Sequence, residues 1–251
     1  MLIDTHCHLD FPPLIEQLDL LLNEARSSGI NKWIIPGVHP DGWQAIRSIC
    51  NSNPSLRPAY GIHPLYASNL REEHLLQLDA IAGQGVAIGE IGLDRTIARP
   101  DLQEALFREQ LRIARRHRLP VLIHCRHAID KTLKIMREEH AGENGGIMHA
   151  FSGSVESARE FGRLGFAISL CGTLTRTSAV RPLQLARELP LEQLVIETDA
   201  PDLAPATHKG AINRPAWLLD IATALATARG CRLEEIAAAT SANSQRVIPA
   251  L

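Results

Sequence analysis

Leu2-Ile3-Asp4-Thr5-His6-Cys7-His8 is the stretch on which the reading of this chain turns. A short apolar run ends in two histidines one residue apart. In an extended chain residues i and i+2 point the same way, so His6 and His8 present two imidazoles on one side, a pair of metal ligands. The first strand of an open doubly wound sheet is usually followed by a glycine-rich turn. Histidines stand in that place here, and Gly89-Glu90-Ile91-Gly92 lacks the GxGxxG spacing.

Moving outward, short β-rich or continuously apolar runs alternate with amphipathic stretches. The strands expected are Leu2–Thr5, Lys32–Pro36, Arg57–Ile62, Val86–Ile91, Pro120–His124, Gly146–His149, Gly165–Leu170 and Gln193–Glu197. Each suits a strand buried on both faces. Between them Leu14, Leu18, Leu21, Leu22 and Ala25 share a helical face, with Gly29 placed to end the helix. Leu102, Leu106, Leu111 and Ala114 repeat the pattern, and Ser154 caps another helix. The strands recur every ~23–34 residues, about one βα unit. Eight such units in 251 residues predict an α/β fold, a closed (β/α)8 TIM barrel, as a single domain over 1–251 with no linker or low-complexity segment.

The remaining chemistry falls at equivalent places. Glu90 lies at the end of the fourth run, His124 closes the fifth, His149 closes the sixth, and Asp199 follows the eighth. In a parallel barrel all these ends open on one face, where catalytic residues gather. Four imidazoles and two carboxylates exceed the needs of one tetrahedral zinc and suit two divalent ions. His6, His8 and Asp199 are assigned to one ion, His124 and His149 to the other, and Glu90 bridges them. The metals considered are Zn, Mn, Ni, Co or Mg, and an imidazole-rich set suits transition ions better than Mg. A water activated in such a site attacks phosphorus or a carbonyl near neutral pH. Asp199 is the expected base, with Glu90 beside it. His63, in Gly61-Ile62-His63-Pro64, is expected to hold substrate or leaving group. Glu197, on the same side of its strand as Asp199, is expected to orient a ligand histidine.

Cations on the loops of this face, Arg95, Arg99, Arg126, Arg176, Lys209 and Arg214, are candidates for substrate phosphates, with Arg95, Arg126 and Arg214 foremost. Arg115-Arg116-His117-Arg118 precedes a strand and reads as a solvated helix end. The formal net charge of −2 excludes a protein that coats nucleic acid by bulk charge. The five cysteines are odd in number and form no CxxC pair, which argues against a disulfide framework and for a reducing compartment. Cys7 and Cys125, each beside a ligand histidine, are expected to point away from the site and pack. Without a signal-peptide core or a membrane-length apolar run, a cytoplasmic monomer or weak oligomer is expected.

Taken in order, Asp4-Thr5-His6-Cys7-His8-Leu9-Asp10, Gly61-Ile62-His63-Pro64, Gly89-Glu90-Ile91-Gly92-Leu93-Asp94, His124-Cys125-Arg126, His149-Ala150-Phe151-Ser152-Gly153 and Glu197-Thr198-Asp199-Ala200-Pro201 resemble the TatD family of metal-dependent deoxyribonucleases, within the amidohydrolase-like barrels. Leu9–Pro13 and Asn213-Arg214-Pro215 resemble its YjjV-like branch. The resemblance implies a (β/α)8 fold, two metals on His6, His8, Glu90, His124, His149 and Asp199, and DNA or a small phosphodiester as substrate. Arg95 and His127 depart from the family pattern, which has an aromatic and an acidic residue there. The alternative on the same metals is hydrolysis of a small amide, lactone or cyclic imide.

Overall fold

The computed structural model describes residues Met1–Leu251. Eight parallel strands follow one another in chain order: β1 (Leu2–Asp4), β2 (Ile30–Pro36), β3 (Leu56–Tyr60), β4 (Ala87–Asp94), β5 (Val121–Arg126), β6 (Gly146–Met148), β7 (Phe166–Leu170) and β8 (Leu194–Ile196). Helices α1 (Leu18–Ser27), α2 (Pro40–Ser52), α3 (Glu72–Ile81), α4 (Pro100–His117), α5 (Ile129–Glu138), α6 (Val155–Arg163), α7 (Val180–Glu188) and α8 (Leu218–Arg229) connect or follow them, and α9 (Leu233–Val247) ends the chain. This is the expected (β/α)8 barrel. The pairing ladder runs from β1 to β8, and backbone bonds stitch the seam beyond it. Thr5 N–H donates to the Ile196 carbonyl at 3.3 Å, and Asp199 N–H to the His6 carbonyl at 2.9 Å.

Strand alternation divides the apolar residues into two layers. Ile3, Ile34, Ala59, Ala87, Leu122, Ile147, Ala167 and Val195, one from each strand, form one cluster with Val247, Ile248 and Leu251. They fill the barrel interior, and the end of α9 plugs its lower mouth. Their neighbours Leu2, Trp33, Ile35, Val121, Ile123, Met148, Phe166, Ile168, Leu194 and Ile196 point outward into the larger cluster beneath the helices.

The predicted helical face of α1 buries Leu21, Leu22 and Ala25, and Gly29 follows it at φ +84°. Ser154 caps α6 by accepting from Ser157 N–H at 3.2 Å. One boundary differs usefully from the sequence expectation. β4 continues past Ile91 to Asp94, with a register irregularity between Ile88 and Ile91, so Glu90 lies within the strand and Asp94 at its end. The continuation depends on Gly92 (φ +148°), because a Cβ there would run into the His124 carbonyl of β5.

Candidate metal centre

Counting two residues up from the interior layer reaches the site. His124 follows Leu122, His149 follows Ile147, and Glu197 and Asp199 follow Val195, so all rise inside the upper mouth. His6 and His8 leave the end of β1 beside them. Asp199 sits at φ +59°, a conformation Asp tolerates better than most residues. It is held there by its own bond to His6 and by Asp202 N–H donating to its carbonyl at 2.8 Å.

The ligand atoms converge on Glu90, which is 4% exposed. Its Oε2 faces His6 Nε2 at 3.3 Å and His8 Nε2 at 3.8 Å. Its Oε1 faces His124 Nδ1 at 2.8 Å, His63 Nε2 at 3.7 Å and His149 Nε2 at 3.8 Å. Asp199 Oδ1 lies 3.8 Å from both His6 and His8 and 3.7 Å from His149. Three overlapping groups have the close spacing of metal ligands: His6, His8 and Glu90; His6, His149 and Asp199; His63, Glu90 and His124. All six expected ligands therefore meet. His149 lies nearer the β1 pair than its assignment with His124 implied, its ring stacked on His6 at 3.7 Å, and His63 joins the group around His124.

The set fits divalent metal. His6 Nε2 and His8 Nε2 stand 3.2 Å apart. Two imidazoles on one tetrahedral ion, at ~2.0–2.1 Å each, hold their nitrogens about 3.3 Å apart. Such a crowd of lone pairs and carboxylates, buried together, calls for a cation. The protonation pattern agrees. Burial lowers His8 to about 3, with His6 adding to the effect. Burial works to raise Glu90, but the fields of His149, His6 and His63 outweigh it and hold the carboxyl well below its ordinary range.

Two carboxylates stand behind the rings of His149 and His124. Glu197 Oε1, fully buried, faces His149 Nδ1 at 2.9 Å and also accepts from Ala150 N–H at 2.6 Å. Asp94 Oδ2 faces His124 Nε2 at 3.2 Å, while its Oδ1 accepts from Thr96. Glu197 thus lies beside one of the histidines it was expected to accompany. The contact of Asp94 with a ligand histidine was missed, although its place four residues beyond Glu90 on one strand was a usable signal. Also missed were two glutamines of α4. Gln110 accepts from Ile62 N–H (2.7 Å) and donates to its carbonyl (2.9 Å), which fixes the chain before His63. Gln103 clamps the backbone of Asp94 in the same way, at 2.9 and 3.1 Å. Asp4 ties β1 to β8 beneath the site by accepting from Thr198 N–H and Oγ1–H at 2.9 and 2.6 Å.

The centre opens into a cavity of about 610 Å³. Arg126 lines it. Arg95 and Arg214 stand outside its wall, and Arg214 is drawn to Glu24 of α1 at 3.4 Å and lies 6.0 Å over Trp217. Arg99 pairs with Asp101 at 3.0 Å. Cys7 is packed in the core as expected, whereas Cys125 is half-buried and contributes to the cavity lining. All five cysteines are free. No helix is long and apolar enough to cross a membrane.

A parallel barrel with histidines and carboxylates gathered at the C-terminal ends of its strands defines a metal-dependent hydrolase of the (β/α)8 type. The family model described as TatD related DNase matches residues 3–249, and the chain belongs to that family. It is 35% identical over 248 residues to the uncharacterized metal-dependent hydrolase YjjV of Escherichia coli strain K12, covering 96% of this chain and 95% of that one. It is 33% identical over 251 residues to the uncharacterized metal-dependent hydrolase YabD of Bacillus subtilis strain 168, covering 98% of each. The crystal structure of YjjV, a TatD homologue from Escherichia coli K12, superposes with a TM-score of 0.94 at 33% identity, over 99% of this chain and 98% of that one.

Proposed function

We propose that this chain is a two-metal deoxyribonuclease that cleaves phosphodiester bonds in the cytoplasm. The observation that carries the reading is Glu90, whose two oxygens face two different sets of imidazoles, the arrangement of a bridging carboxylate. In this reading His6, His8 and Asp199 would hold one ion and His124 the other, with His149 within reach of both sets. When bound, divalent ions supply Lewis acidity and a water of lowered pKa.

The chain's own groups do the rest. Asp199 takes the proton of the attacking water as its oxygen bonds to phosphorus. His63 serves the departing oxygen. Its Nδ1 accepts from Leu65 N–H at 3.1 Å, so the proton resides on Nε2, which points into the site. The P–O ester bond breaks and that Nε2–H stabilises the departing oxygen. Arg126 neutralises substrate phosphate at the cavity wall. Arg95 and Arg214 are left as contacts for a longer strand beyond it.

The test is to strip the protein with chelator, restore Mn or Zn, and follow end-labelled single- and double-stranded DNA beside a Glu90→Ala variant. Metal-dependent cutting that vanishes in the variant supports the reading. A cavity with a single guanidinium and one apolar wall favours a second reading, hydrolysis of a small amide, lactone or cyclic imide. Turnover of such substrates without phosphodiester cleavage by fully metallated protein selects it.

A further inference from the structure

The cavity above the metal centre has two unlike sides. Phe11, Val38, Leu65 and Tyr66, from the loops after β1, β2 and β3, form one. Arg126, Ser152, Thr173 and Asp202, from β5 and the loops after β6, β7 and β8, form the other. Consecutive loops are neighbours around a barrel mouth, so Phe11, Val38, Leu65 and Tyr66 make one continuous apolar wall, facing a mixed side that carries Cys125, Ala150 and Leu203 among its polar groups. Leu65 is the telling member. It is 56% exposed and has no place in the hydrophobic core. Of the large apolar side chains left in water, only Leu65 lines the cavity. The short helical turn Pro64–Asn69 buries Pro64 and Ala67 and leaves Leu65 outward. Its backbone bond to His63 Nδ1 sets it at a fixed place from the reacting centre. The wall is pre-formed: Tyr66 packs on His39 at 4.6 Å, and Phe11 lies parallel to His8 at 4.7 Å and 15°. Across from it, Arg126 is the one cation of the lining.

We propose that Phe11, Leu65 and Tyr66 form a subsite for the nucleobase of the nucleotide that carries the scissile phosphate. The proposal rests on the phosphodiesterase reading and adds how substrate is gripped. A flat ring against a rigid apolar and aromatic wall gains affinity without regard to base identity. One guanidinium offers a grip on about one phosphate, where a protein that tracks a duplex neutralises many. The unit gripped within the cavity is a single nucleotide.

The experiment compares the affinity of Mn-loaded protein for thymidine 5′-monophosphate and for deoxyribose 5-phosphate, in which a hydroxyl replaces the base, by calorimetry. Wild type is expected to favour the nucleotide by about 10-fold. In Leu65→Ser and Tyr66→Ser the ratio falls toward one, and Leu65→Met restores it. Circular dichroism and thermal melting establish that the variants are folded. Equal affinity for the two ligands, binding of neither, or a preference that survives both substitutions overturns the subsite. Turnover of thymidine 5′-(p-nitrophenyl phosphate) is followed in parallel. A base preference without turnover keeps the subsite and removes the phosphodiesterase reading, whereas turnover without base preference does the reverse.

Discussion

Glu197 stands behind His149, its Oε1 2.9 Å from Nδ1 in a fully buried position, so the ring is held with Nε2 toward the metal centre. Asp94 does the same for His124 from the opposite nitrogen. Carboxylates behind ligand histidines fix the tautomer and make the ligand more basic. Glu197→Gln and Asp94→Asn are each expected to weaken metal binding by ~10–100-fold while leaving the fold intact. Competition against a chelator of known affinity measures this. Unchanged affinity in both variants removes the orienting role.

Metal uptake is expected to release protons and strengthen with pH. Burial opposes a charged His149, but the fields of Glu197, Asp199 and Glu90 outweigh it and raise the imidazole to about 10. Burial raises Asp199 to about 8, opposed by His149 and supported by Glu197 and Glu90. The His149–Asp199 pair thus retains a proton near neutral pH that an ion must displace, so lower pH favours the metal-free state. The apparent affinity rises by roughly tenfold per pH unit for each displaced proton, slackening above pH 8 and flattening past pH 10. Calorimetry in buffers of different ionisation enthalpy counts the protons, and a pH-independent affinity contradicts the scheme.

Arg126→Ala is expected to raise KM for a phosphodiester by about tenfold, the loss of one charged hydrogen bond. Arg214→Ala, whose guanidinium is turned toward Glu24, shifts KM for a short substrate less than about twofold. Steady-state kinetics with a dinucleotide separates them, and equal effects contradict the placement of Arg126 alone in the wall.

Gln110 is completely buried and satisfies both backbone groups of Ile62. Gln110→Leu strands a donor and an acceptor, at a cost of about 2–4 kcal/mol. Because Ile62 precedes His63, kcat is expected to fall as well. Urea unfolding gives the first quantity and turnover the second; a variant as stable as wild type refutes the clamp.

Gly92→Ala forces a Cβ against the His124 carbonyl at a backbone angle unfavourable to any side chain. Destabilisation above about 2 kcal/mol is expected, with metal affinity impaired because His124 moves. A melting temperature within a degree or two of wild type contradicts this.

The same glycine shows where sequence reading succeeds and where it stops. The apolar runs located every strand because interior and exterior neighbours are both buried, which leaves an unbroken apolar signal. β4 runs past the expected end at Ile91 to Asp94, because the missing Cβ of Gly92 lets β5 approach. The gathering of the candidate ligands was legible because strand ends share one face. Their grouping was less so. His149 comes from β6, yet its ring rests on His6 from the far end of the chain, a contact made by barrel curvature. Side-chain direction was equally hidden: nothing near Arg214 in sequence announces Glu24, 190 positions away.

The seam gives the centre an order of assembly. Asp4 and Thr198, 194 positions apart, are joined directly beneath the ligands, and Asp199 hangs from the carbonyl of His6. His6 and His8 are therefore brought beside Asp199 only when β8 docks against β1, so the cluster is a product of barrel closure rather than of any local segment.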